Sequence, residues 1–219
     1  MKPGKPLSAQ VLLYWLPLGA GGRSIRWNGR VFEAAAACHA HRTAKDLYHS
    51  ALEVTVGLDC FVIEMAPVWS DHDTDRGVVR EGPVGARWLG RSALFRYEVR
   101  RWLGGRIPDV LEAVGRPLCV GRHPGRAQAL LDLVPQVPAL TWGRDERGTG
   151  DMWNSNSLTA WLLASSGHDV HGLVPPSGGR APGWTAGLAS SVPRARSTVR
   201  LTRGRASGLA SGGQRGADR

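Results

Sequence analysis

Leu47-Tyr48-His49-Ser50-Ala51-Leu52-Glu53-Val54 and Phe61-Val62-Ile63-Glu64-Met65-Ala66-Pro67 are the two runs on which the fold turns. Both alternate in polarity, and both are rich in residues that suit a pleated, half-buried surface. Gly57 and Asp59 interrupt them with turn chemistry. The spacing predicts an antiparallel hairpin over residues 47–56 and 60–66. If 56 and 57 form the turn, His49 pairs with Glu64. If 56–59 form it, Ala51 pairs with Glu64 and His49 is its diagonal neighbour. Either register places the imidazole and the carboxylate on one face, because the side-chain period of a strand is two.

Outward from this hairpin, Val11 to Leu16 reads as a buried strand closed by Pro17 and the turn Gly19-Ala20-Gly21-Gly22. Asn28 is placed to cap a helix reaching about His41. Residues 70–87 read as a polar loop. Leu94 to Trp102 reads as a strand with Phe95, Tyr97 and Val99 on one face and Arg96, Glu98 and Arg100 on the other. Pro108 opens a short helix through Val110, Leu111 and Val114, and a second helix fits 125–134. The clearest helix runs from Trp153 to Ser166, with Leu158, Trp161, Leu162 and Ser165 on one side and Gly167 at its end. Residues 172–188 read as a closing loop. Strand, helix, antiparallel strands and then helices make an α+β class with an antiparallel sheet packed on helices.

The chain has 219 residues and a net charge of +10, but the charge is uneven. Residues 189–219 hold seven arginines (194, 196, 200, 203, 205, 215 and 219) against Asp218, which leaves +4 for residues 1–188. That Gly/Ala/Ser/Arg-rich stretch has too little apolar surface to offset its ordering entropy, so a disordered basic tail is expected there. Residues 1–9 are read as a flexible lead-in and 10–188 as one domain. A basic tail can meet nucleic acid or an anionic surface through phosphate charge, although a solvated tail without a partner is the simpler expectation. Three widely spaced cysteines, Cys38, Cys60 and Cys119, contain no C-x-x-C pair. They exclude a disulfide framework and a zinc ribbon, and they fit buried thiols in a reducing, cytoplasmic setting. The apolar run Val11–Leu18 is too short to span a bilayer.

The chemistry-bearing constellation combines His49, Glu64 and the run Asn154-Ser155-Asn156-Ser157. A carboxylate on one ring nitrogen of a histidine fixes its tautomer and raises the basicity of the other. A nucleophile at a helix start meets exposed N–H groups that can also hold an oxyanion. A serine there would need His49 as its base.

These residues resemble the circularly permuted papain-like enzymes, among them the lecithin retinol acyltransferase-like acyltransferases and phospholipases and, more loosely, the PPPDE peptidases. The motifs that carry the resemblance are His49-Ser50-Ala51-Leu52-Glu53-Val54, Val62-Ile63-Glu64-Met65-Ala66-Pro67 and Asn154-Ser155-Asn156-Ser157-Leu158, about twenty residues around each of two sites. Residues 70–150 do not align. Ser155 stands where the family has its cysteine and Glu64 where it has a second histidine. The resemblance implies hydrolysis or acyl transfer at an amide or ester of a small-molecule or peptide substrate. Ser155 would be the nucleophile, His49 the base and Glu64 the orienter. The N–H groups of Ser155 and Asn156 would form the oxyanion hole, and Arg23, Trp153 and Asn154 would border the groove. It implies no metal and no organic cofactor. The alternatives are a non-catalytic relative whose groove binds a peptide, lipid or acyl ligand, and a nucleic-acid-associated protein acting through the tail.

Other motifs are weaker. Asp71-His72-Asp73-Thr74-Asp75 opens like a calcium loop but has Arg76 where glycine and Gly82 where glutamate is needed. His39-x-His41 and His168-Asp169-x-His171 have no third ligand in a matching motif. Gly19 to Arg23 lacks the Gly-Lys-Ser/Thr ending of a phosphate loop.

Overall fold

The computed structural model of the chain describes residues 8–18, 41, 43–68 and 77–191. Its centre is a six-stranded antiparallel sheet of β1 (Ala9–Pro17), β2 (Tyr48–Val56), β3 (Asp59–Pro67), β4 (Val78–Pro83), β5 (Arg96–Leu103) and β6 (Leu118–Gly121). The strand order is β4-β5-β3-β2-β1-β6. Three helices complete the α+β architecture: α1 (Pro124–Leu133), α2 (Ser155–Ser165) and α3 (Trp184–Ser191).

The β2–β3 hairpin closes through Gly57-Leu58, with Val56 opposite Asp59 and Leu52 opposite Ile63. Gly57 takes φ +65, which glycine adopts without a Cβ penalty. This is the register in which Ala51 lies across from Glu64 and His49 is its diagonal neighbour on the same face.

The sheet buries side chains on both faces. Val11, Leu13 and Trp15 of β1, Tyr48, Leu52 and Val54 of β2, Ile63 and Met65 of β3, and Tyr97 and Val99 of β5 pack against the helices. On the reverse face Leu16, Ala51 and Val62 pack with Ile107 beneath the 104–117 connection. Helix α2 lies deep between the sheet and α3, so residues 155–163 are buried on every side rather than along one stripe. Asn154 caps its start, Ser166 its end, and Gly167 follows at φ +76.

Several expectations change. The polar loop over 70–87 contains β4, a six-residue strand at the sheet's edge whose charges and terminal proline disguise it. Gly82 in β4 leaves room for the Tyr97 ring, which a Cβ would approach to 2.3 Å. Phe95 is outside the fifth strand, in a 3-10 turn, and exposed. The helix after Pro108 is only the 3-10 turn Val110–Glu112, with Leu111 98% exposed. Strand β6 pairs with β1 where no element was expected. The closing loop 172–188 gives way to α3 from Trp184, and residues 189–191 belong to that helix. The Asn28–His41 helix, apart from His41, and residues 192–219 lie outside the described residues. No helix among the described residues is long and apolar enough to cross a membrane.

Candidate functional site

The start of α2 is held by an interlocked set of neutral polar groups. Asn154 Oδ1 accepts from the N–H groups of Asn156 (2.9 Å) and Ser157 (3.3 Å). Ser157 Oγ accepts in return from Asn154 N–H (3.0 Å), which completes a capping box. Ser157 also donates its hydroxyl proton towards the carbonyls of Gly183 (2.7 Å) and Met152 (3.1 Å). Asn156 turns to the sheet: its amide donates to the carbonyls of Tyr48 (2.9 Å) and Pro182 (2.8 Å) and accepts from Ser50 Oγ (2.8 Å).

The 180–183 segment reaches this point because Arg180 is bridged to the entry of β2. Tyr48 N–H donates to the Arg180 carbonyl, and Arg180 N–H to that of Asp46, both at 2.8 Å. Gly183, at φ +95, has its α-carbon against Asn154; a Cβ there would come within 2.1 Å of the amide oxygen. Asp151 completes the connection to α3 by accepting from Gly183 N–H (2.6 Å) and Thr185 N–H (3.2 Å).

Facing decides which side chains meet this helix start. Residues opposite one another in an antiparallel pair share a face. Ser50 lies across from Trp15, which belongs to the helix-side core. His49 lies across from Leu16, which belongs to the reverse-side core. The sheet therefore stands between His49 and α2, and Ser50 is the β2 side chain that reaches it.

The three residues of the expected triad are placed as follows. Ser155 occupies the first turn of α2 and is 8% exposed, but its hydroxyl makes no hydrogen bond among the described residues. His49 and Glu64 do share a face, yet no hydrogen bond among the described residues joins them. Glu64 is across from Arg100 of β5 and is paired with it at 2.9 Å. Arg100, its side chain 2% exposed, also pairs with Glu98. Burial pushes the His49 pKa down to about 4, against the pull of Asp109, so its ring is neutral and poorly basic.

The other expected site residues have these places. The Asn156 N–H intended for the oxyanion hole is already held by Asn154. Trp153 is 1% exposed and belongs to the core, not to a groove wall. Asn154 is occupied as the helix cap, its Nδ2 donating to the Pro182 carbonyl at 2.8 Å. Arg23 lies outside the described residues. Cys119 is exposed rather than buried, and Cys60 is partly buried. Ser50, Asp151 and the backbone of the Pro182-Gly183 pair also assemble here; of these only Ser50 had a signal in the sequence, a serine on the otherwise apolar side of β2 with Leu52 and Val54.

Comparison of the chain with protein families, with curated protein sequences and with solved structures gave no match.

Proposed function

We propose that the chain is a non-catalytic binding protein of the permuted papain-like kind. Two arrangements support the fold assignment: the antiparallel hairpin of β2 and β3, and a buried helix that follows it in sequence and presents its start to β2. The observation that carries the non-catalytic reading is the facing of β2. Ser50 is on the side of α2, and His49, whose pKa burial holds near 4, is on the other. A serine at a helix start without a base is a weak nucleophile. The capping box and the Asn156 amide make the former reaction position a clasp that joins β2, α2 and the 180–183 segment.

The hydrolase or acyltransferase alternative keeps one observation in its favour, the uncommitted Ser155 hydroxyl at the positive end of α2. One experiment separates the two. The full chain is treated with a fluorophosphonate probe, and Ser155→Cys with iodoacetamide across pH 5–9. The expected result is no labelling of Ser155 and a thiol that reacts no faster than an ordinary cysteine. Labelling that disappears in both Ser155→Ala and His49→Ala would overturn the binding reading and restore the triad.

A further inference from the structure

A basin of about 320 Å³ opens beside the edge of the sheet, between β4 and the 3-10 turn Arg87–Arg91. Its lining includes Arg87, Arg91, Arg96, Glu81 and Pro83. Concavities of this size hold small ligands.

The charges are not balanced within it. Arg87 directs Nε (3.2 Å) and Nη2 (2.8 Å) at Glu146, which fixes its position and leaves Nη1 without a partner among the described residues. Arg96 gives Nη1 to Glu81 at 2.8 Å. Its Nε is buried and has no hydrogen-bond partner among the described residues. Arg91, exposed on the rim, has no ion pair among the described residues. Three guanidinium groups against Glu81 and Glu146 leave a surplus of one positive charge.

A buried N–H without an acceptor is costly and calls for one. Here the unpaired donor belongs to a cation, Arg96, whose side chain lines a basin that also holds Arg91, a second cation with no ion pair among the described residues. Guanidinium forks match the oxygens of a phosphoryl or carboxylate group. A phosphoryl group offers three terminal oxygens and close to two charges, which serves donors approaching from Arg87, Arg91 and Arg96 together. A carboxylate serves two.

We propose that this basin is a binding site for a phosphate monoester, with Arg91 and Arg96 as its principal ligands. Arg87 is held in place beside them by Glu146, and Glu81 limits the affinity by competing for Arg96. The proposal deepens the binding reading above and rests on it only in taking recognition as the task. It is read by binding alone, so labelling of Ser155 would leave it standing.

The test is calorimetric titration of the full chain with phenyl phosphate at low salt, with phenol as the neutral control. Phenyl phosphate is expected to bind and phenol not. Arg91→Gln should weaken binding at least tenfold, and Arg96→Lys should do so severalfold, since lysine keeps the charge but loses the planar guanidinium fork. Glu81→Gln should tighten it. Arg116→Gln, an equal charge change at an exposed site outside the basin, should leave it unchanged. Co-sedimentation with phosphatidylcholine vesicles containing phosphatidic acid distinguishes the source of the group. Retention that phenyl phosphate displaces assigns a lipid headgroup, and phenyl phosphate binding without retention assigns a soluble ligand. No binding of phenyl phosphate, or an equal loss in Arg116→Gln and Arg91→Gln, overturns the site.

Discussion

Two polar centres stand on opposite faces of the same hairpin, and they are built from different materials. On the helix side, Ser50 and Asn156 join neutral groups to the carbonyls of Tyr48 and Pro182. On the reverse side, Arg100 holds the carboxylates of Glu64 and Glu98. A neutral centre is stable when its donors and acceptors are counted out evenly. A charged centre also depends on every charge keeping its partner, because a single buried ion costs several kcal/mol. Ser50 of the neutral centre lies on β2 and faces α2, whereas Glu64, Glu98 and Arg100 of the charged centre lie on β3 and β5 and face the other way; strand parity determines which chemistry each face can support.

Removing the cation should have the largest effect on the charged centre. Arg100→Met leaves Glu64 and Glu98 facing each other without their common partner. The expected loss is about 3–5 kcal/mol, the range for breaking a buried pair on one side, read as a lowered urea midpoint at pH 7. A loss under about 1 kcal/mol would show that water reaches the charged centre and that the two faces do not differ as described.

Most of this contrast was legible in the sequence, but its decisive part was not. The hairpin, β1, most of β5, α1 and the capped start of α2 follow from alternation, prolines and capping residues. Alternation also shows that His49 and Glu64 share a face. It does not say which face the helices cover, since His49-Ala51-Glu53 and Ser50-Leu52-Val54 each hold both polar and apolar residues. That choice depends on long-range partners: Trp15 and Leu16 arrive from β1, and Asn156 from more than a hundred residues away. Strands β4 and β6 were hidden for a related reason. Both are short edge strands, and neither needs the apolar pattern of a central strand.

The neutral centre should respond more mildly, and to a different kind of change. Asn156→Ala removes one acceptor and two donations at once, leaving the Tyr48 carbonyl and the Ser50 hydroxyl unpaired in a buried space. At roughly 1 kcal/mol for each lost bond, the expected cost is about 3 kcal/mol. Ser50→Ala removes only one of these bonds and should cost about 1 kcal/mol. Neither loss should vary with pH between 5 and 8, because none of the groups in the centre is charged. If Ser50→Ala costs as much as Asn156→Ala, the serine carries more than its single bond and the centre is not a sum of parts.

The one effect expected to depend on pH near neutrality comes from His49, which lies on the charged face but is itself uncharged. Its pKa is held at about 4 by burial, below the ordinary value of 6.5. The native chain therefore binds fewer protons than the unfolded chain between these two values. Stability must rise with pH across that window, and the contribution is complete above about pH 6.5. Below it the unfolded histidine takes up a proton that the native ring refuses, so stability falls as pH drops towards 4. With each unit of displacement corresponding to about 1.4 kcal/mol, His49 accounts for a decline of about 2 kcal/mol between pH 8 and pH 5. His168 is displaced in the same direction by its own burial and by Arg126, so the two must be separated. Denaturation of the parent chain, His49→Gln and His168→Gln at pH 5 and pH 8 does this. His49→Gln should flatten the decline by about 2 kcal/mol whatever His168 contributes. If His49→Gln keeps the full pH dependence, the ring is solvated and titrates normally. The strongest argument against its use as a base would then be gone, and only the facing of β2 would separate it from Ser155.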